Sequence, residues 1–190
     1  IAEYAGFRGK EKESFWNDPQ IIADFKQTIH AVINRVNSCT GVVYKNDKAI
    51  LAWETGNELT CPPEWTADMA AYIKSLDHNH LLLDGFHSQS LRENSLIDPH
   101  IDLVTTHHYE KNAGQMVRHI QENVIKASGR KPYVVGEFGF IDTPGVEQVL
   151  NLIVDSSCSG ALIWSLRFHS RDGGFYWHSE PYGGNLFKAY

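Results

Sequence analysis

Cysteine is scarce in this chain. There are three in 190 residues, Cys39, Cys61 and Cys158, and they stand too far apart for any Cys-x-x-Cys pair. A thiolate zinc cluster is excluded on that count, and the odd number leaves at least one thiol unpaired within the chain. Positive charge is also in deficit. Lys and Arg number 17 against 23 Asp and Glu, a formal net charge of −6, with no basic cluster interleaved with aromatics. Neither nucleic acid nor an anionic membrane surface is therefore an expected partner. No apolar run approaches the roughly 20 residues that span a bilayer, and the opening IAEYAGFRGK lacks the apolar core of a signal peptide. No glycine-rich phosphate-binding turn follows any strand-like run. What is present is a globular composition, 42% hydrophobic, 12% aromatic and 21% charged, sufficient for one well-packed domain.

One pattern recurs along the chain. Asp18-Pro19 predicts the start of a helix carrying Ile22, Phe25, Ile29, Val32, Ile33 and Val36, about five turns. The apolar run AILAW follows. Pro62-Pro63 opens a second amphipathic segment with Trp65, Met69, Tyr72, Ile73 and Leu76 on one stripe, and LLLDGF comes next. DLVTTHHY is strand-like. A helix with Val117, Ile120, Val124 and Ala127, closed by Gly129, then leads to YVVGEF. Thr143-Pro144 starts a helix with Val146, Val149, Leu150 and Ile153, and ALIWSL is the last of five strands.

Short strands separated by helical connections predict a parallel α/β sheet, because crossovers place helices against the strands. A doubly wound sheet and a barrel both fit the alternation. Polar residues gather where successive strands end, which suits the carboxyl-terminal face of a (β/α)8 TIM barrel. Such a barrel takes about 250 residues and eight strands. With 190 residues and five strands, residues 1–190 are expected to form the carboxyl-terminal portion of one, a partial barrel of about five βα units.

The strand ends supply Asn57 and Glu58, then Asp84 and His87, then His107, His108 and Tyr109, then Glu137, and finally Trp164, Arg167 and His169. Two glutamates on different strand ends, with Tyr, His and Trp beside them, are what a retaining glycosidase needs. One carboxyl protonates the leaving oxygen while the other attacks the anomeric carbon, the two standing about 5 to 5.5 Å apart. Neighbouring side chains on a regular strand face opposite ways, so Asn57 and Glu58 both face a substrate only if the strand bends there, and Gly56 allows the bend. His107 and Tyr109 are two apart and share a face, which turns His108 away. Glu54 is read as a hydrogen-bonded group rather than a catalyst, and Trp53 and Trp65 as core. Asp84 fits substrate contact or a turn cap with Gly85 equally, and His87 is undecided. Asp77-His78-Asn79-His80 has the composition of a metal cluster but fits a helix-to-strand loop better.

WETGNE at 53–58, THHY at 106–109, GEFG at 136–139 and IWSL at 163–166, in that order, resemble glycoside hydrolase family 5. Within it, NSCTGVVYKNDKAILAWETGNE resembles the β-mannanases. The resemblance implies strands four to eight of the barrel. It makes Glu58 the acid/base and Glu137 the nucleophile, with Asn57 on the sugar 2-hydroxyl, Tyr109 orienting the nucleophile, His107 beside it and Trp164 as a stacking floor. It implies cleavage of β-1,4-mannosidic links in a polysaccharide or oligosaccharide, with no cofactor and no metal, by a secreted protein. A cellulase, an exo-β-mannosidase or a carbohydrate-binding barrel remnant without turnover are the alternatives. The family also uses an Arg and a His from its second and third strands, which this chain does not carry, so the amino-terminal part of the barrel is an expected partner. The opening EYAGFRGKEKESFWNDP resembles the cleft-lining loop after strand three. In RFHSRDGGFYWHSEPYGG, the residues Arg167, His169, Trp177, His178 and Glu180 are candidate sugar contacts against the reading of a packed surface loop.

Overall fold

A computed structural model describes residues 1–165 and 169–174, together with the backbone of 178–179 and 186–187. It divides into two compact units, Ile1–Phe86 with Glu93–Leu103, and His87–Arg92 with Val104–Tyr190.

The first unit contains α1 (Ala2–Phe7), α2 (Pro19–Ile33), β1 (Ala52–Glu54), α3 (Pro63–Leu76), β2 (Leu81–Leu83) and α4 (Glu93–Ile97), with short 3₁₀ turns at Lys12–Trp16 and Tyr44–Asn46. β1 and β2 pair in parallel, Ala52 opposite Leu81 and Glu54 opposite Leu83. Asp18 caps α2 as its position before Pro19 predicts, its carboxylate accepting the N–H groups of Gln20 and Ile21. The helix does not run on to Val36. It stops at Ile33, where the Asn34 amide donates to the His30 carbonyl at 2.9 Å, and Asn37 accepts the N–H groups of Cys39 and Thr40 in a side-chain turn. Val36 instead forms an antiparallel bridge with Val43.

Residues 2–7 are helical, and the Tyr4, Phe15 and Trp16 rings pack among Phe25 and Trp65 at centroid separations of 5.0 to 5.8 Å. Each such ring removes a large apolar area from water: Phe15 is buried in the core with Ile21 and Met69, and Tyr4 and Trp16, half-buried, pack against it.

The second unit holds β3 (Val104–His108), α5 (Ala113–Ala127), β4 (Tyr133–Phe138), α6 (Thr143–Asp155) and β5 (Gly160–Ile163), followed by the antiparallel pair β6 (His178–Ser179) and β7 (Leu186–Phe187). β3, β4 and β5 form one parallel sheet in that order. Asn112 and Asp142 cap the two helices through the N–H groups of Gln115 and Gly145. On α5 the buried stripe is Met116, Ile120, Asn123 and Ala127, shifted from the apolar one the sequence predicts. Asn123 is there because its amide accepts from Leu91 N–H at 2.9 Å and donates to the Gln89 carbonyl at 2.7 Å, which fastens 87–92 to this unit.

The Asp77-His78-Asn79-His80 loop binds itself. Buried Asp77 accepts the Trp53 indole N–H at 2.7 Å and the backbone N–H groups of Asn79 and His80, and its Oδ2 lies 2.6 Å from His80 Nδ1. His80 Nε2 faces the Asp47 carbonyl at 3.0 Å. Both ring nitrogens thus face acceptors, so both donate and the ring is an imidazolium. Burial opposes that charge, but the Asp77 carboxylate and the Asp47 carbonyl outweigh it and raise the His80 pKa. A raised histidine contributes stability that is complete below its ordinary value near 6.5 and is lost as pH rises through the raised value. The stability of the wild type to urea is therefore expected to fall as pH climbs above about 6.5, and this segment of the profile flattens in His80→Gln. Asp77→Ala, which strands the indole, two N–H groups and a buried cation, is expected to cost about 3 to 5 kcal/mol.

Candidate active site

In the second unit the site grows from an irregularity in β4. Pairing along β3 and β4 runs Thr106 to Val135, then His107 to Glu137, so Gly136 is an extra residue on β4. A bulge of this kind re-aims the next side chain, here Glu137. Only glycine fits: a Cβ at 136 would lie 2.3 Å from Thr105 Oγ1 and 2.8 Å from His107 Nε2. The missing side chain lets the His107 ring lie close against β4, with its Nδ1 3.5 Å from Glu137 Oε2. Tyr109 reaches the same oxygen and donates its O–H to it. The Tyr109 ring leans on Phe140, centroids 5.4 Å apart, directly after the Gly-Glu-Phe-Gly stretch. His107 is 7% exposed at its side chain and Glu137 17%, so the carboxylate sits in a mostly closed setting with one oxygen held.

His108 points the other way. It is fully buried, with Nε2 2.8 Å from Thr106 Oγ1 and Nδ1 3.1 Å from Glu110 Oε1. Trp164 follows β5, its N–H donating to the Phe138 carbonyl at 2.8 Å, and 43% of the residue is exposed. His169 is exposed, its Nδ1 2.8 Å from the Ser170 carbonyl oxygen. Arg167, Trp177 and Glu180 lie outside the described residues, and His178 is described by its backbone alone.

In the first unit, β1 ends at Glu54 and the chain bends through 55–58, where Gly56 has φ +156° and Glu58 φ +51°. A glutamate in the left-handed region costs roughly 1 to 2 kcal/mol, and neighbouring contacts must hold it there. They come from the end of β2. Leu59 N–H donates to the Gly85 carbonyl at 2.8 Å, and Gly85 N–H to Thr55 Oγ1 at 2.9 Å. A Cβ on Gly85 would stand 1.7 Å from the Gly56 carbonyl oxygen, so a glycine is needed for the Asn57-Glu58 bend to close on β2. Asp84 is the turn cap, accepting Phe86 N–H at 3.1 Å and the Ser95 hydroxyl.

Sequence reasoning brought forward Glu137, His107 and Tyr109, which the structure assembles. It missed Phe140, whose signal was its place beside the Gly-Glu-Phe-Gly run, and it missed the partners of His108, Glu110 and His119, because helix α5 supplies the second of them.

Residues 2–131 match the family described as GH family 5 beta-mannosidase-like. The chain is 32% identical to mannan endo-1,4-beta-mannosidase 7 of Arabidopsis thaliana over 92% of this chain and 51% of that protein. It is 30% identical to mannan endo-1,4-beta-mannosidase 4 of Solanum lycopersicum, covering 86% of this chain and 54% of that protein. The chain thus spans about half the length of these curated relatives. Among solved structures, the endo-beta-1,4-mannanase from Thermotoga petrophila superposes with a TM-score of 0.77 at 25% identity, over 91% of this chain and 50% of that one. The endo-1,4-beta-mannanase from Rhizomucor miehei gives 0.76 at 25%, over 85% and 58%. The fold class is that of the (β/α)8 barrel, as the gathering of polar residues at successive strand ends predicts.

The two close approaches of Gly136 yield a direct comparison. Gly136→Ala is expected to cost about 1 to 3 kcal/mol by overpacking. Gly160→Ala, in the same sheet but with nothing within 4 Å of the added carbon, is expected to stay within about 0.5 kcal/mol of wild type. Urea unfolding midpoints of the two variants check the difference.

Proposed function

The chain belongs to glycoside hydrolase family 5, and from that premise we propose that it is the catalytic part of a retaining glycoside hydrolase acting on β-1,4-mannosidic links. Glu137 is the nucleophile. Its carboxylate attacks the anomeric carbon as the bond to the leaving sugar breaks, and Glu58, as the acid, gives that sugar's oxygen its proton. Water then attacks the glycosyl ester, Glu58 takes its proton, and the Glu137 carboxylate returns. The observation that carries this reading is the pair of side chains at Glu137. With Tyr109 donating to Oε2 and His107 at 3.5 Å, the carboxylate is held in one orientation.

The exposed Trp164 indole is the floor for the sugar, and Asn57 binds its 2-hydroxyl. Arg167, His169, Trp177 and Glu180 are taken as further sugar contacts. Mannan as the substrate follows the names of the relatives, mannan endo-1,4-beta-mannosidases of Arabidopsis and tomato. The family description, beta-mannosidase-like, favours a second reading in which single mannose units leave from chain ends. Secretion is part of the same proposal. Because the relatives are about twice the span matched here, catalysis is proposed to need further βα units joined to this chain.

In the full-length protein, Glu137→Ala is expected to abolish turnover of mannan and of aryl mannosides, and azide to restore part of it by attacking where the carboxylate stood. Glu58→Ala should lose about 10²- to 10⁴-fold on mannan yet still form the intermediate from an aryl mannoside with a good leaving group, which needs little protonation. Equal losses on both substrates would count against the acid assignment, and release of mannose alone from mannan would favour the chain-end reading.

A further inference from the structure

On the face of β3 turned away from Glu137, His108, Glu110 and His119 bring three ligand atoms within 4.8 Å of one another. Glu110 Oε1 lies 3.1 Å from His108 Nδ1 and 2.6 Å from His119 Nδ1. Glu110 is 3% exposed at its side chain and His108 0%. The second carboxylate oxygen of Glu110, Oε2, is sealed from solvent and has no hydrogen-bond partner among the described residues. A buried carboxylate oxygen without a donor is costly, and such atoms are rare in folded proteins. From this cluster we infer a site for a divalent transition-metal cation of the zinc class, built from two imidazoles and one carboxylate.

The chemistry of the donors fits. Zinc takes imidazole nitrogen and carboxylate oxygen at about 2.0 to 2.2 Å, and ligands around a tetrahedral ion stand roughly 3.3 Å apart. The two separations from Glu110 Oε1, 3.1 and 2.6 Å, stand within about 0.7 Å of that value. His108 Nε2 faces the hydroxyls of Thr106 and Tyr133, at 2.8 and 3.4 Å. With a cation in place of the Nδ1 proton, Nε2–H would donate to that pair, which leaves the Nδ1 lone pair for the cation and fixes the ring, as metal-binding histidines require. His119 is 31% exposed, so the third ligand opens the site to solvent for entry and for a water as fourth ligand. His108 and His119 stand eleven positions apart in the sequence, which concealed this set. Its members come from the end of β3, the following connection and the second turn of α5. The bound cation pins the end of β3 to α5 and thereby braces Tyr109, between His108 and Glu110.

Titrating the metal-free full-length protein with zinc by calorimetry near neutral pH tests the site, with Co(II) absorption reporting a tetrahedral environment. We expect one equivalent bound, weakening by at least about tenfold in His119→Ala and in Glu110→Gln. His30→Ala and His78→Ala, which remove exposed histidines elsewhere, should leave it unchanged. His119 is partly exposed, so its variant is expected to fold, and its unfolding midpoint without zinc reports that independently. No stoichiometric binding by the wild type, or binding that His119→Ala and Glu110→Gln leave intact, would overturn the inference.

Discussion

The organisation of the second unit depends on one extra residue. Gly136 interrupts the ladder between β3 and β4, and through that interruption Glu137 comes opposite His107 instead of one position away. A regular parallel ladder would place Glu137 out of register with both residues that now touch it, since one step along a strand exchanges faces. A side chain at 136 would meet Thr105 and His107. The Gly-Glu pair is thus a single device: the glycine makes the room that the glutamate's partners occupy.

β3 then serves two faces at once. His107 and, beyond the strand, Tyr109 turn to Glu137, while His108 and Glu110 turn into a polar cluster with Thr106, Tyr133 and His119. Burial alone would push the Glu110 carboxyl up, but the bonds from His108 and His119 outweigh it and hold the group below the usual carboxylate range. The Tyr133 phenol is pushed well up, chiefly by its burial. A polar layer behind the strand that carries Tyr109 limits how far that strand end can shift, because every rearrangement would expose buried polar atoms without partners.

Much of this was legible in the sequence because it is written locally. Asp18-Pro19 and Thr143-Pro144 mark helix starts through caps and fixed φ angles, and period-two alternation along DLVTTHHY separates His107 and Tyr109 from His108. Competing local captures of the backbone, and contacts made between distant segments, were not legible. Val36 has helical spacing, yet Asn34 and Asn37 capture the backbone and end α2 early. Tyr4, Phe15 and Trp16 have the composition of a sugar-binding loop, and Phe25 and Trp65 meet them from two other helices, with Phe15 buried and the other two half-buried. Asn123 sits on a buried stripe where an apolar residue is expected, since the carbonyl and N–H it satisfies belong to residues more than thirty positions earlier. Local chemistry fixes caps and faces, whereas the use made of an aromatic or an amide depends on what arrives opposite it.

The central claim is that Glu137, held by Tyr109 and His107, forms the covalent bond to sugar. It is tested most directly by trapping. Incubating the full-length protein with a 2-deoxy-2-fluoro-β-mannoside bearing a good leaving group, followed by mass spectrometry of the digested protein, should show one fluoromannosyl group on the peptide containing Glu137. A label on a different carboxylate, or turnover that gives the inverted anomer with no label at all, would contradict the account.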